Sequence, residues 1–151
     1  MNSFYRVIDS IKDAVSAEPF NHQVTFGDIA DIDLQKQSLF PLCHIMINSA
    51  TITDNIVQQS MTIFLMDLVD SSNSEDASLF LGNDNRQDIL NTQLALGTRI
   101  MRVLQKADLY RQEFEIEGDA NCEPFTERFE NMLAGWAITF TINTNTDMTY
   151  C

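Results

Sequence analysis

Two long runs of alternating residues, joined by a short polar segment, constrain the fold more than any other part of this chain. The runs cover residues 42–52 and 56–69, and Thr53-Asp54-Asn55 between them is typical of a turn. This pattern predicts a hairpin of two long antiparallel strands. Over residues 61–66 both faces of the second strand are largely apolar. That strand is therefore expected to be buried on both sides, by helices on one face and by a neighbour on the other.

Residues 88–111 have the periodicity of one amphipathic helix. Its apolar side chains form a stripe, which comprises Leu90, Leu94, Gly97, Met101 and Leu104, widened on one side by Leu96, Ile100 and Val103. Asp88 suits the N-cap position, and the helix is expected to end near residue 108 or 110. The opposite side of this helix carries three of the nine basic residues of the chain, Arg99, Arg102 and Lys106, here called the basic strip.

The basic strip has two interpretations. It is either the solvated outer face of a helix that packs on a sheet, or a surface that docks on the acidic face of another copy or partner. In both cases it is a contact element and carries no catalytic chemistry.

The remaining elements follow from similar patterns. Apolar residues spaced three and four apart predict a first helix over residues 3–17, and alternation predicts two further strands. The full set of expectations is a helix at 3–17, a strand or strand plus loop at 24–34, a long polar loop or arm at 70–88, an edge strand at 113–117, irregular structure at 118–130, a half-buried strand at 134–142, and an extended or disordered tail at 143–151.

These elements predict one domain over residues 1–151 in the α+β class. We expect an antiparallel or mixed sheet of four to five strands, with a long hairpin and two main helices packed on one face. A chain of 151 residues is long enough to bury a sizeable core.

The charge balance limits the partners that such a domain could bind. The 22 carboxylates outnumber the basic residues and give a formal charge of −13. Direct binding to nucleic acid or to an anionic membrane is therefore not expected, since both need clustered Lys and Arg. The longest uninterrupted apolar run, residues 63–66, is far too short to span a bilayer, and no secretory signal is visible, which predicts a soluble protein.

No pattern of chemistry-bearing residues predicts an enzyme, a metal site or a cofactor site. The three cysteines, an odd number with no close spacing, imply no disulfide framework and a reduced compartment. Cys43 and His44 are adjacent, so on a strand they point to opposite faces and cannot share a zinc ion. Cys43 and Cys122 are interpreted as buried structural thiols. The carboxylates at Asp28, Asp31, Asp33, Asp84 and Asp88 do not have the spacing of a calcium loop, and glycine-rich phosphate loops are missing from the sequence.

Several motifs, in order along the chain, resemble those of the tail terminator or tail completion proteins of long-tailed bacteriophages and their relatives in head-to-tail connectors. These motifs are Val7-Ile8 with Ile11 in the opening helix, Val24-Thr25-Phe26-Gly27-Asp28-Ile29, the Phe40-Pro41 step into a strand, Asp88-Ile89-Leu90-Asn91 after the polar loop, and Ala134-Gly135-Trp136-Ala137-Ile138-Thr139-Phe140.

The resemblance implies a virion structural protein that forms a homomeric ring, commonly a hexamer with a dodecamer as the other option. The ring would lie at the head-proximal end of the tail, end tail-tube growth and join the tail to the neck. Its partners would be further copies of itself, a tail tube protein and a neck or connector protein, with DNA passing through the lumen without specific binding. The protein would be assembled in the host cytoplasm and located in the virion.

For such a ring, the residues expected at the subunit interface are those of the basic strip and of the edge strand, the latter comprising Glu113, Glu115 and Glu117. The edge strand could pair across subunits, and the basic strip could meet an acidic patch. The acidic excess is expected to line or rim the lumen. Two alternatives stay open, which are another neck component such as an adaptor or stopper ring, and a cytosolic interaction module with no viral role.

Overall fold

A computed structural model describes residues 2–17, 23–27, 41–68, 86–111, 114–128 and 133–145 of the chain. In chain order the elements are α1 (Asn2–Ser16), β1 (Gln23–Phe26), β2 (Leu42–Ile52), β3 (Ile56–Leu68), α2 (Arg86–Arg111), β4 (Glu115–Arg128) and β5 (Leu133–Asn145). The predicted α+β class, with two helices over one face of a mixed sheet, is confirmed.

The strands form one sheet in the order β1-β2-β3-β5-β4. β1 is parallel to β2, and every other neighbouring pair is antiparallel. Between β2 and β3, the Thr53 N–H and the Thr53 hydroxyl both donate to the Ile56 carbonyl, at 2.9 and 2.8 Å. β3 and β5 pair along their whole length, from Ile56 opposite Asn145 to Leu68 opposite Leu133. The two strands with the most buried side chains therefore lie next to each other inside the sheet.

Both described helices pack on the same face of this sheet. Alternate residues of β3, namely Met61, Ile63 and Leu65, enter one core cluster with Ile11 of α1 and Leu104 of α2. The opposite face, turned away from both described helices, is here called the helix-free face. Side chains 61–66 are all buried, so the expectation of burial on both sides of this run is confirmed. The neighbour expected over the second side stays a prediction.

The helix-free face has an apolar end and a polar end. Its apolar end is a buried cluster of Leu42, Phe64, Met66, Phe125 and Leu133. Phe64 and Phe125 lie edge to face, with ring centroids 6.4 Å apart. Toward the turn between β2 and β3, the side chains on this face become amides, hydroxyls and carboxylates.

Two details of the predicted long helix are wrong. α2 begins at Arg86, so Asp88 lies in its first turn and is not the N-cap. The carboxylate still lies near the unpaired N–H groups of that turn. The buried stripe is also rotated, since Leu94 and Val103 are 37% and 42% exposed while Gln93 is buried. The rotation follows from where the helix meets the sheet: the Trp136 Nε1–H donates to the Leu90 carbonyl at 2.8 Å.

The irregular structure predicted over residues 118–130 is wrong for most of that segment, because β4 extends to Arg128. Glu117 pairs with Thr141 and Asn121 with Thr139, so β4 has three intervening residues where β5 has one. Gly118 lies in this bulge and has a φ of 68°, a left-handed conformation that glycine adopts readily. The bulge breaks the alternation on which the prediction depended.

Other boundaries shift by smaller amounts. β1 begins one residue earlier than predicted and covers three residues of the predicted strand at 24–34, and β5 continues through Asn145 into the predicted tail. Residues 28–34, the bulk of the predicted arm at 70–88, Glu113 and residues 146–151 lie outside the described part of the chain.

Candidate subunit interface

The basic strip lies on the outer side of α2. Arg99, Arg102 and Lys106 are all exposed, and Val103 lies among them on the same side. Leu96, Ile100 and Leu104 on the other side are buried in the core, which holds the helix in this orientation. The structure therefore presents the strip as a basic row with one apolar side chain at its centre.

The predicted acidic edge lies on β4, which is the last described strand on its side of the sheet. Glu115 and Glu117 are exposed and point to the helix-free face, as their pairing with Asn143 and Thr141 of β5 requires. Ile116 between them packs against the core on the helix side. Glu123 lies further along the same strand and is also exposed on the helix-free face. The Gln58 Nε2–H donates to Glu117 Oε2 across β5.

The structure does not bring the basic strip and the acidic edge together. The strip lies in the helix layer, whereas the carboxylates of Glu115 and Glu117 lie on the opposite side of the sheet. The other two basic residues whose side chains are described, Arg6 and Lys12, are exposed on α1. Every basic side chain in the described set is thus carried by a helix, and the two sides of the subunit differ in charge.

A row of neutral polar side chains crosses the helix-free face between its two ends. Asn48 Nδ2 donates to Thr62 Oγ1 at 2.7 Å and lies 3.5 Å from Ser60 Oγ. The hydroxyls of Thr62 and Thr139 are 3.1 Å apart, which carries the row on to β5. Sequence analysis missed this row, because its members come from three strands. Its only signal is that alternate residues at the start of β3 and the end of β5 are polar.

His44 is a second feature that sequence analysis did not assign. Its ring is fully buried on the helix-free side, where Nε2–H donates to the Gly27 carbonyl at 2.9 Å and Nδ1 accepts from the Thr25 hydroxyl at 2.8 Å. The carbonyl can only accept, so the proton lies on Nε2. His44 therefore fastens the end of β1 to β2.

The two described cysteines lie in different environments. Cys43 is buried in the core on the helix side, and desolvation raises the pKa of its thiol from 9.0 to about 12. Cys122 is exposed on β4, so its interpretation as a buried thiol is wrong, and partial desolvation raises the pKa of its thiol. Cys43 and His44 face opposite sides of β2, so they cannot bind one metal ion together.

The described residues contain no group of three or more His, Cys, Asp or Glu side chains placed to hold a metal ion. Asp28, Asp31, Asp33 and Asp84 lie outside those residues. Neither described helix has the length and hydropathy needed to cross a bilayer.

Comparison with protein families finds no family model that matches this chain. Comparison with curated proteins finds no match either. The chain's own charge distribution and the strands at the edges of its sheet are therefore the features that bear on its function.

Proposed function

We propose that this chain is a virion structural protein whose copies form a ring at the head-proximal end of a phage tail. The ring would end growth of the tail tube, join the tail to the neck and let DNA pass. The observation that carries this proposal is the separation of charge between the two sides of the subunit. The described basic side chains all lie on the helices, and the helix-free face presents carboxylates, amides and hydroxyls.

The helix-free face suits the wall of a channel for DNA. Phosphates are attracted mainly by Lys and Arg, and are repelled by carboxylates within roughly 8–10 Å at physiological ionic strength. Glu115 and Glu117 provide that repulsion at the polar end of the face, and Glu123 adds a carboxylate nearer its apolar end. Six copies at −13 each would carry −78 before counterions bind. DNA would therefore slide past this surface without adhering to it.

The helix layer suits contact between neighbouring copies. α2 packs over β3, β5 and β4, while α1 packs beside α2 and shares the core with Cys43 and Ile45 of β2. Copies placed side by side would bring the α2 of one subunit next to the α1 of the next. Asp9 and Asp13 are exposed on α1 and provide the acidic partners that the basic strip needs. Such charge pairs determine register and association rate more than affinity.

The first test is the mass of the purified full chain, measured by light scattering over a range of concentrations. One subunit has a mass of 17.2 kDa, so a hexamer would have a mass of about 103 kDa. Arg102→Glu should weaken assembly and Arg102→Lys should not. Adding Asp9→Lys and Asp13→Lys to Arg102→Glu should restore part of it. A chain that stays monomeric at all concentrations, with Arg102→Glu without effect, would contradict the proposal.

Location in the particle separates the tail terminator from the other neck proteins. Antibodies against the chain should label the head-proximal end of the tail, and the isolated ring should have six subunits. A twelve-fold ring bound to the portal side of the neck would indicate an adaptor or connector instead. A particle that lacks the chain altogether would favour an interaction module of the cytosol.

A further inference from the structure

We infer that the outer edge of β2 over residues 46–52 receives the β4 strand of a second copy, so that the sheets of neighbouring subunits join. This inference rests on the proposed ring and names the surface that accepts the acidic edge. Residues 46–52 are here called the acceptor edge, and residues 115–123 of β4 are called the donor edge.

Within the described residues, the acceptor edge is open because β1 is short. β1 pairs with Leu42 to Ile45 only, and the last backbone hydrogen bond runs from the Gly27 N–H to the Ile45 carbonyl at 3.1 Å. Beyond that point, no strand in the described part of the chain pairs with the outer side of β2. Side chains 48–52 are exposed, and Ile52 is 78% exposed. Seven consecutive residues thus offer backbone donors and acceptors to another strand.

The composition of the acceptor edge indicates that it is covered in the working protein. Exposed edges of soluble monomers are usually protected by charged side chains or proline, which discourage pairing with other chains. Residues 46–52 read Met-Ile-Asn-Ser-Ala-Thr-Ile and contain neither. A cavity of about 210 Å³, lined by Phe26, Gly27, Met46 and Ile47, lies where β1 ends. An added strand would continue the line of β1 and close this gap.

The donor edge lies at the opposite lateral edge of the same sheet, at the same position along the strand direction. The strand registers run from Thr51 through Gln58 and Asn143 to Glu115. Beyond β4 the described residues again supply no further strand. The donor and acceptor edges are therefore aligned along the strand direction. This alignment lets a sheet continue from one copy into the next.

Strand direction is also compatible with a ring. Within one sheet β2 is antiparallel to β3, β3 to β5, and β5 to β4, so β4 is antiparallel to β2. Copies related by rotation about a ring axis keep their strand directions along that axis. The donor edge of the next copy would therefore meet the acceptor edge as an antiparallel pair, with the usual hydrogen-bond ladder.

Charge favours this pairing of unlike edges over a two-fold pairing of like edges. The donor edge carries Glu115, Glu117, Asp119 and Glu123, all exposed. Two donor edges side by side would place carboxylates opposite one another, which destabilises a sheet. The acceptor edge has no charge, so it can receive the donor edge without that repulsion. An interface of two unlike edges closes into a ring when the rotation between copies divides a full turn, whereas an interface of like edges stops at a dimer.

The experiment uses the full chain with Cys122→Ser and Cys151→Ser, leaving only the buried Cys43. Thr51→Cys is made in one preparation and Glu115→Cys in another, since both positions point to the helix-free face. A short bis-maleimide should join the two variants when they are mixed, and should join neither variant to itself. A chain that carries both substitutions should give a ladder of covalent multimers up to the ring size.

Each other outcome overturns the inference, and the outcomes separate it from the proposed ring. A ring of the expected mass without cross-links leaves the proposed function intact and rejects the edge pairing. Cross-links within Glu115→Cys alone would mean that like edges pair. A strict monomer rejects both ideas.

Two variants of opposite charge at one position test the acceptor edge without introduced cysteines. Ser49→Glu places a carboxylate on the acceptor edge, and we expect a roughly two- to fivefold rise in the concentration at which half the chain is assembled. Ser49→Lys should leave that concentration unchanged or lower it. Equal effects of the two variants would contradict pairing with an acidic strand.

Discussion

Gly97 lies where α2 packs directly against the sheet. Whether its replacement by alanine raises or lowers the free energy of unfolding should depend on one methyl group, Cδ1 of Ile138. A Cβ at this position would lie 2.3 Å from Ile138 Cδ1 and 3.2 Å from Leu65 Cδ1. Alanine is favoured over glycine inside a helix by about 1 kcal/mol. Overpacking of a core costs about 1–3 kcal/mol. Gly97→Ala should therefore leave the free energy of unfolding unchanged or lower it by up to about 2 kcal/mol.

Ile138→Val removes the Cδ1 methyl that the new Cβ would strike. By itself, Ile138→Val should lower the free energy of unfolding by about 0.5–1.5 kcal/mol. In that background Gly97→Ala no longer meets the clash, so the helix propensity of alanine dominates and the substitution should stabilise by up to about 1 kcal/mol. The double-mutant cycle should thus show a coupling of about 1–3 kcal/mol between the two positions.

The assay is urea unfolding followed by far-ultraviolet circular dichroism, at one fixed chain concentration because assembly adds to stability. Ala95→Gly is the matched control, since Ala95 is an exposed residue of the same helix. It should cost about 1 kcal/mol in both backgrounds. Equal effects of Gly97→Ala with and without Ile138→Val would refute the packing of α2 against β5 described above.

Four further predictions address the sheet and its buried polar groups. Gly135→Ala should cost more than about 3 kcal/mol or prevent folding, because its Cβ would lie 1.9 Å from a main-chain oxygen of β3, which no side-chain rotation relieves. Thr25→Val should cost about 1–3 kcal/mol in urea unfolding, because it leaves Nδ1 of the buried His44 without its hydrogen-bond donor. In maleimide labelling at pH 8, Cys122 should react in the native protein and Cys43 only after unfolding. Stability should also fall as the pH rises from 9.0 toward about 12, since the Cys43 thiol ionises in the unfolded chain first.

Each of these has a control within the chain. Thr98→Val alters an exposed threonine of α2 and should change the free energy of unfolding by less than about 0.5 kcal/mol. Cys43→Val should flatten the alkaline loss of stability, because the ionising thiol is gone. A Gly135→Ala variant as stable as the parent would contradict the pairing of β3 with β5. Rapid labelling of Cys43 in the native protein would contradict its burial.

The sequence predicts best those elements whose pattern is local. β2 begins and ends where alternation predicts, and β3 begins where predicted and continues to Leu68, the last described residue of that stretch, because the two strands and their polar turn are contiguous. α1 likewise follows from apolar spacing within 15 residues. Each of these patterns is complete within one stretch of chain, so no knowledge of distant partners is needed.

The elements that sequence reasoning missed depend on partners far along the chain. The second half of β4 is a strand because β5 offers it a free edge, and Gly118 and Pro124 hide it from any alternation pattern. The orientation of α2 is fixed by where β5 meets it, which leaves Leu94 exposed and Gln93 buried. Helical periodicity alone cannot specify that rotation.

The exposure of the candidate interface residues was predictable from the sequence, but their arrangement on the two sides of the sheet was not. Exposure of the basic strip and of Glu115 and Glu117 follows from periodicity alone. That they lie on opposite sides of the sheet depends on strand order and register, which are non-local. The acceptor edge could not be predicted either, since among the described residues it is open because β1 ends at Phe26.

Negative-stain electron microscopy of the purified full chain shows directly whether its copies close into a ring. We expect rings with rotational symmetry and a central opening. Discrete single subunits, or two-fold dimers without an opening, would contradict the account.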